Sequence, residues 1–131
     1  MKVIIIEDEK LSAEHLAAML HRIDASIQII HYFDSVKSAV KELANGVNAD
    51  LLFVDIHLAD GLSFEIFSQV EVDTPIIFTT AYDQYAIKAF KWNSVDYLLK
   101  PIGIEELREA VQKYRKYTGQ PQTALLDSLS L

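Results

Sequence analysis

The chain has 131 residues, of which 50% are hydrophobic and none is cysteine, so we expect one globular domain with a proper core. This composition excludes a disordered chain and a disulfide scaffold. The 12 basic and 19 acidic residues give a net charge of −7, which argues against nucleic-acid binding by this piece. Apolar runs such as residues 3–6 are far shorter than the ~20 residues of a membrane span, and the first residues lack the layout of a signal peptide.

Five short apolar runs predict the strands of a sheet. They are KVIII, IQIIHYF, LLFV, PIIFTT and VDYLL, at residues 2–6, 27–33, 51–54, 75–80 and 95–99. Apolar residues predominate in these runs and do not alternate regularly with polar residues. This pattern is typical of strands that are covered on both faces, so we expect a parallel sheet.

Amphipathic segments between and after these runs predict five helices. Their apolar residues at helical spacing are Leu16, Leu20 and Ile23; Val36, Val40 and Leu43; Leu62, Ile66 and Val70; Ala86, Ala89 and Phe90; and Ile104, Leu107, Val111 and Tyr114. The third of these helices is expected within GLSFEIFSQV, residues 61–70. Strands and helices that alternate in this way predict an α/β fold with a doubly wound sheet.

Acidic residues stand where the first and third strands end. In a doubly wound sheet the ligand site lies at the carboxyl ends of the strands, and the flavodoxin-like order puts the first and third strands side by side there. Glu7 and Asp8 follow the first strand and Asp55 follows the third, so we expect their carboxylates to converge. Three carboxylates this close repel one another and call for a cation, and ligands that are all oxygen suit Mg²⁺.

The fourth and fifth strands end on the same rim, at Thr80 and Lys100. A carboxylate, a hard cation, a lysine and a hydroxyl suffice for phosphoryl transfer, because catalysis there depends mostly on positioning and charge neutralisation. The carboxylate of Asp55 can itself be the nucleophile and become an aspartyl phosphate. The rim therefore predicts phosphoryl chemistry.

Four motifs at the predicted strand ends, IIIEDE, LLFVDI, FTTAYD and DYLLKPI, resemble the receiver domain of bacterial two-component response regulators. The segments FTTAYDQYAIKAF and DYLLKPI are most similar to receivers attached to LytTR-type DNA-binding domains. The resemblance implies a flavodoxin-like, doubly wound, five-stranded parallel sheet in the order 2-1-3-4-5 with five helices. Residues 1–117 would form the receiver domain. Residues 118–131 would be a linker or tail toward an absent output domain, with a disordered natural tail as the alternative.

The resemblance implies a metal site and a phosphoacceptor. Asp55 would accept the phosphoryl group. Asp8 and Asp55 would hold Mg²⁺ directly, together with the backbone carbonyl of His57, and Glu7 would act through a metal-bound water. Two departures from the common family pattern stand here: Glu7 replaces an Asp seen in many members, and the segment DIHLADG is short and lacks proline.

The resemblance also assigns the switch residues. Thr80 would bond the phosphoryl group once it arrives, and Lys100 would pair with Asp55 or its phosphate. Tyr97 would be the aromatic side chain that turns inward on activation. The bond between Lys100 and Pro101 is expected to be cis.

The function implied by the resemblance is a phosphorylation-dependent signalling switch of a two-component system. A sensor histidine kinase would be the phosphoryl donor, and the domain would be no enzyme beyond its own phosphorylation and dephosphorylation. Phosphorylation would change the surface of the fourth helix, fifth strand and fifth helix and promote a homodimer. Transcription would be regulated through an attached DNA-binding domain, with DNA contacted only there. We expect no membrane partner and a cytoplasmic location.

Three other functions are weighed against this one. A haloacid dehalogenase-like phosphatase would also use Asp55 as a nucleophile, but it needs a second Asp two residues later, where this chain has His57. A flavin- or nucleotide-binding module needs a glycine-rich loop after the first strand, and EDEKLS contains no glycine. A receiver used only for protein contacts would not require the acidic residues, the threonine and the lysine together.

Overall fold

The structure is a computed structural model that describes residues 1–82 and 94–119. Its strands are β1 (Lys2–Ile6), β2 (Gln28–Phe33), β3 (Leu51–Asp55), β4 (His57–Leu58), β5 (Gly61–Leu62), β6 (Ile76–Thr80) and β7 (Ser94–Leu99). Its helices are α1 (Lys10–Ile23), α2 (Val36–Leu43), α3 (Phe64–Gln69) and α4 (Ile104–Gly119). The helix α4 is the fifth helix of the sequence prediction. The predicted fourth helix, around Ala86 and Phe90, lies outside the described residues.

The main sheet has five parallel strands in the order β2-β1-β3-β6-β7. Counted without the two short strands β4 and β5, this is the predicted order 2-1-3-4-5, so the flavodoxin-like topology is confirmed. The sheet register places Asp55 opposite Thr79, and Thr80 opposite Leu99. The carboxyl ends of the strands therefore form one edge, on which the predicted site residues lie.

Both faces of the inner strands β1, β3 and β6 are buried, as their apolar residues predict, whereas the outer strands β2 and β7 are partly exposed. Alternate residues of a strand point to opposite faces, so Val3 and Ile5 pack with α1 and α4 while Ile4 and Ile6 pack with α2 and α3. Each fully buried aliphatic side chain of this kind contributes about 1.5–3 kcal/mol relative to an exposed one. Polar side chains are thereby confined to the ends of the inner strands, where the site is built.

A small antiparallel hairpin, β4–β5, follows β3 and corrects one sequence prediction. Residues 61–70 were expected to be helical, but α3 begins only at Phe64. Gly61 has φ +146°, and Leu62 pairs with His57 across the hairpin. A helix cannot include this backbone conformation, because helical residues have φ near −63°. Leu62 therefore belongs to the hairpin and not to the helical stripe with Ile66.

Two further sequence expectations concern the C-terminal part. The Lys100–Pro101 peptide bond is cis, as the resemblance implied. The helix α4 continues through Gly119, past the division at residue 117, which stays a prediction. Among the helices in the two described ranges, none has both the length and the apolar character that a bilayer span requires.

Candidate functional site

The three predicted carboxylates meet at the carboxyl edge of the sheet. Glu7, Asp8 and Asp55 each offer one oxygen, and these oxygens all lie within 4.8 Å of one another. The cause is the register of β1 and β3, which pairs Ile6 with Val54. The next residues in each segment, Glu7 and Asp55, therefore lie side by side. Glu7 and Asp55 are buried, whereas Asp8 is exposed to solvent. The convergence expected from the strand order is present.

Lys100 joins two of these carboxylates. It follows β7, where its backbone N–H donates to the Thr80 carbonyl at 2.7 Å. Its Nζ donates to Oε1 of Glu7 and, at 2.8 Å, to Oδ2 of Asp55. The lysine side chain reaches across β6 to do so, because β7 is separated from β3 by that strand. One ammonium group thus bridges acids from β1 and β3.

Both oxygens of the Asp55 carboxylate are held. Oδ2 accepts from Lys100, and Oδ1 accepts from the backbone N–H of His57 at 3.2 Å. Asp55 is only 7% exposed. One of these two donors is a charged ammonium group, which makes a strong hydrogen bond, so this carboxylate has a fixed orientation.

Acidic charge exceeds basic charge in this cluster. Burial raises the pKa of Glu7, and the charge of Asp55 adds to that effect, although the hydrogen bond from Lys100 opposes it. Partial loss of hydration and the neighbouring Glu7 also raise the pKa of Asp8, although its side chain is exposed. Burial would lower the pKa of Lys100, but its hydrogen bonds to Asp55 and Glu7 outweigh this and raise it. Lys100 therefore stays protonated beside acids that it does not fully neutralise.

The donor set fits Mg²⁺. The oxygens of Glu7, Asp8 and Asp55 are hard ligands, and Mg²⁺ prefers these with an octahedral geometry at 2.0–2.1 Å. Two ligands of one such ion lie at most about 4.2 Å apart, so a spread of up to 4.8 Å suits direct ligation by some acids and a water bridge to another. The exposed carboxylate of Asp8 gives an ion access from solvent.

Both threonines at the end of β6 are buried. Oγ1 of Thr80 accepts a hydrogen bond from the backbone N–H of Tyr82 at 3.2 Å. Thr79 lies opposite Asp55 in the register and lines a cavity of about 360 Å³ together with Glu7 and Lys100. Thr80 is the last residue of β6, and its hydroxyl is engaged by the loop that follows the strand.

Tyr82 links the site to the predicted switch residue, and sequence reasoning did not single it out. The hydroxyl of Tyr97, which is half-buried in β7, donates to the backbone carbonyl of Tyr82. The ring of Tyr82 meets the ring of His57 edge-on, with centroids 5.0 Å apart. The only sequence signal was position, two residues after Thr80. The contact itself depends on how β3 and β6 bring their following loops together.

The fold and this edge define a class of protein. Residues 3–112 match the response regulator receiver domain family, so the chain belongs to that family. Receiver domains are signalling domains of two-component response regulators. The family match and the relatives below do not support the haloacid dehalogenase alternative.

Two relatives show which type of response regulator this receiver domain resembles. Sensory transduction protein LytT of Bacillus cereus is 37% identical over 119 residues, which are 88% of this chain and 48% of that protein. Transcriptional regulatory protein LytR of Staphylococcus aureus is 37% identical over 119 residues, 88% of this chain and 47% of LytR. The resemblance to the LytTR type is thereby confirmed, and the chain spans about half the length of these relatives.

A solved structure agrees with the fold described above. The crystal structure of the response regulatory domain of protein mrkE from Klebsiella pneumoniae is 32% identical and superimposes with a TM-score of 0.77. The match covers 92% of this chain and 99% of that domain. This domain and the chain therefore share one fold over nearly their whole lengths.

Proposed function

We propose that Asp55 is the phosphoacceptor of this receiver domain and that the phosphoryl group comes from a phosphohistidine of a sensor kinase. One observation carries the proposal: the buried Asp55 carboxylate is oriented by Lys100 and by the His57 N–H, beside two further acids. An attacking carboxylate needs this kind of fixed position, since phosphoryl transfer depends on alignment and charge neutralisation.

The transfer is a substitution at phosphorus. A carboxylate oxygen of Asp55 forms the new P–O bond while the P–N bond to the donor imidazole breaks, and the imidazole leaves with the electron pair and is protonated by solvent. Lys100, now between Glu7 and Asp55, pairs with the phosphoryl oxygens afterwards. Asp8, Asp55 and the His57 carbonyl would hold Mg²⁺ directly and Glu7 would hold it through a water, and the ion would supply positive charge against the acids and the phosphoryl oxygens.

The signal leaves the site through Thr80 and Tyr97. In this arrangement the Thr80 hydroxyl accepts from Tyr82, and the Tyr97 hydroxyl donates to the carbonyl of the same residue. A phosphoryl group on Asp55 draws the Thr80 hydroxyl toward it and breaks its bond to Tyr82. Tyr97 then loses its hydrogen bond to the Tyr82 carbonyl and turns toward the space beside Thr80. This movement shifts the population between two arrangements of the surface that β7 and α4 form.

The output of this change is a homodimer that regulates transcription through an attached DNA-binding domain. The longer relatives LytT and LytR support an attached output domain, since this chain corresponds to about half of each. The surface formed by β7 and α4 carries both signs of charge, for example Lys113 with its Nζ 3.9 Å from Oδ1 of Asp96. Mixed charge of this kind suits a two-fold contact, in which each patch meets its own copy.

The experiment that tests the phosphoacceptor is intact mass after incubation with Mg²⁺ and acetyl phosphate. The wild type gains about 80 Da, one phosphoryl group, and Asp55→Asn gains nothing. Asp50→Asn is a matched control, because Asp50 directly precedes the same strand at its opposite end and its carboxylate accepts from the backbone N–H of Lys2 at 2.7 Å. Labelling of Asp55→Asn at the wild-type rate would refute the assignment.

The dimer is tested separately by sedimentation with and without beryllofluoride, which mimics the phosphoryl group. We expect a monomer or weak dimer without it and a larger dimer fraction with it. An unchanged association state contradicts this output mechanism and leaves the phosphoacceptor assignment standing.

A further inference from the structure

Asp60 connects the hairpin that follows the phosphoacceptor to the N-terminus of the helix α2. It lies in the turn between β4 and β5, and its two carboxylate oxygens accept from the first two backbone N–H groups of α2. Oδ1 accepts from Val36 at 2.8 Å and Oδ2 accepts from Lys37 at 3.0 Å. The contact joins residues 24 and 23 positions apart in the chain.

The helix α2 needs this contact because its own cap is incomplete. The first N–H groups of a helix have no partner within it. Oγ of the N-cap residue Ser35 accepts from Ser38 N–H at 3.0 Å, and no hydrogen bond to it from the first two N–H groups of α2 is found among the described residues. Asp60 accepts hydrogen bonds from the two N–H groups that Ser35 does not bind. Its negative charge also interacts favourably with the positive end of the helix dipole. The N–H groups of Val36 and Lys37 lower the pKa of Asp60, so it remains ionised.

Besides Asp60, the buried side chain of Leu58 and the contact of the His57 ring with Tyr82 attach the hairpin to the domain. The hairpin consists of two strands of two residues, and a hairpin of this size is not stable by itself. Its base is joined to the sheet by Ile56, whose N–H donates to Thr79 at 2.9 Å and whose carbonyl accepts from Ser63 at 2.8 Å. At the turn, Asp60 supplies two hydrogen bonds to α2. The backbone of His57 lies between these two anchor points.

His57 matters because its N–H is the second donor to the Asp55 carboxylate. We propose that Asp60 is a positioning residue for the phosphoacceptor: it ties the hairpin to α2 and so keeps the His57 N–H on Oδ1 of Asp55. The effect on phosphorylation rests on the proposed function, whereas the effect on His57 does not. Asp60 itself touches neither Asp55 nor the phosphoryl group and acts through the backbone that it holds.

The test compares Asp60→Ala with Ser35→Ala in the full chain. Both substitutions remove a cap from the same helix, but only the first releases the hairpin. The readouts are amide hydrogen exchange at His57 without Mg²⁺ and the rate of phosphorylation by acetyl phosphate at saturating Mg²⁺. We expect Asp60→Ala to speed His57 exchange and slow phosphorylation, each by about tenfold, which corresponds to the loss of hydrogen bonds to a charged group.

Ser35→Ala should lower the midpoint of urea unfolding and leave both readouts at their wild-type values. Asp60→Asn retains one acceptor oxygen, so intermediate values are expected, and this variant replaces Asp60→Ala if the latter does not fold. Wild-type exchange at His57 in both Asp60 variants, or equal acceleration in Ser35→Ala, would overturn the positioning role. If the wild type itself takes no phosphoryl group, the proposed function fails and the exchange comparison still decides the role of Asp60.

Discussion

Two clusters of acidic and basic side chains show how differently this chain uses ionic contacts. In the site, Lys100 bridges Glu7 and Asp55, and these three side chains are 24%, 6% and 9% exposed. At the other cluster, Arg115 of α4 binds Asp24, the C-cap of α1, and their side chains are 44% and 30% exposed. Both contacts join residues more than 40 positions apart, but only the first takes charge out of water.

The two clusters also differ in charge balance. Three acids surround one lysine in the site, and loss of hydration is the main cause of the raised pKa of both Glu7, which is buried, and Asp8, which is only partly desolvated. At the surface, hydrogen bonds from Ser26 and then from Arg115 lower the pKa of Asp24 to about 2. In an exposed pair of one acid and one base, the two charges neutralise each other. A buried cluster with more acidic than basic groups is unfavourable by itself. Such an excess of acid is expected at a site that, as proposed, binds a cation and a phosphoryl group.

The largest expected difference between the clusters is in phosphorylation. Lys100→Met removes the ammonium group that donates to Oδ2 of Asp55, and we expect the phosphorylation rate to fall about a hundredfold, as when a preorganised charge-stabilising donor is lost. Arg115→Met should phosphorylate at the wild-type rate. The measurement is the time course of the mass gain with acetyl phosphate. Equal rates for the two variants would show that the ionic contact in the site is merely structural.

The same two variants are expected to differ in stability. Lys100→Met leaves Glu7 and Asp55 buried without their base, which we expect to lower the free energy of unfolding by about 2 kcal/mol; the partial exposure of the lysine keeps this below the cost for fully buried pairs. Arg115→Met should change it much less, because exposed ion pairs contribute little to stability. Urea unfolding at pH 7 with a chelator present measures both. If Arg115→Met lowered the free energy of unfolding more than Lys100→Met, the exposed pair and not the buried cluster would contribute more to stability.

The acids within the site should differ in their contribution to metal binding. Glu7 is already engaged by Lys100 and by the Glu9 N–H, whereas the Asp8 carboxylate is exposed at the site mouth. We expect Asp8→Asn to weaken Mg²⁺ binding about tenfold and Glu7→Gln about threefold, because a direct ligand contributes more than a water-mediated one. Calorimetric titration measures the affinities, with Asp24→Asn as the unaffected control. Equal losses would show that the two roles are assigned wrongly.

The smallest expected effect is the pH dependence of the surface cluster. The pKa of Asp24 is about 2 in the folded protein against an ordinary value of 3.8, so the unfolded chain binds more protons between these values. Its contribution to stability is complete above pH 3.8 and is lost as the pH falls toward 2. The urea midpoints of wild type and Asp24→Asn should therefore converge as the pH is lowered from 5 to about 3.

A second variant sharpens this prediction. Ser26→Ala should remove part of the pH-dependent difference, since the Ser26 hydroxyl is the first cause of the lowered pKa. A constant difference between wild type and Asp24→Asn across this range would show that Asp24 acts by packing and not by charge.

The sequence by itself determined the sheet and the carboxyl edge. Strands such as residues 51–54 are apolar at every position because both faces are covered, and that pattern is local enough to be recognised without the fold. The convergence of Glu7, Asp8 and Asp55 followed from strand order, since parallel strands end at one edge.

Only the tertiary structure decided the contacts that depend on where separate loops meet. The spacing of Leu62, Ile66 and Val70 is helical, yet Leu62 pairs in the hairpin, because the positive φ of Gly61 and the cross-strand pairing outweigh a weak local preference for helix. The bonds from Asp60 to α2 and from Tyr97 to Tyr82 have no counterpart in any local pattern. Each joins segments that the folded backbone brings together, and no periodicity within one segment can encode such a distance.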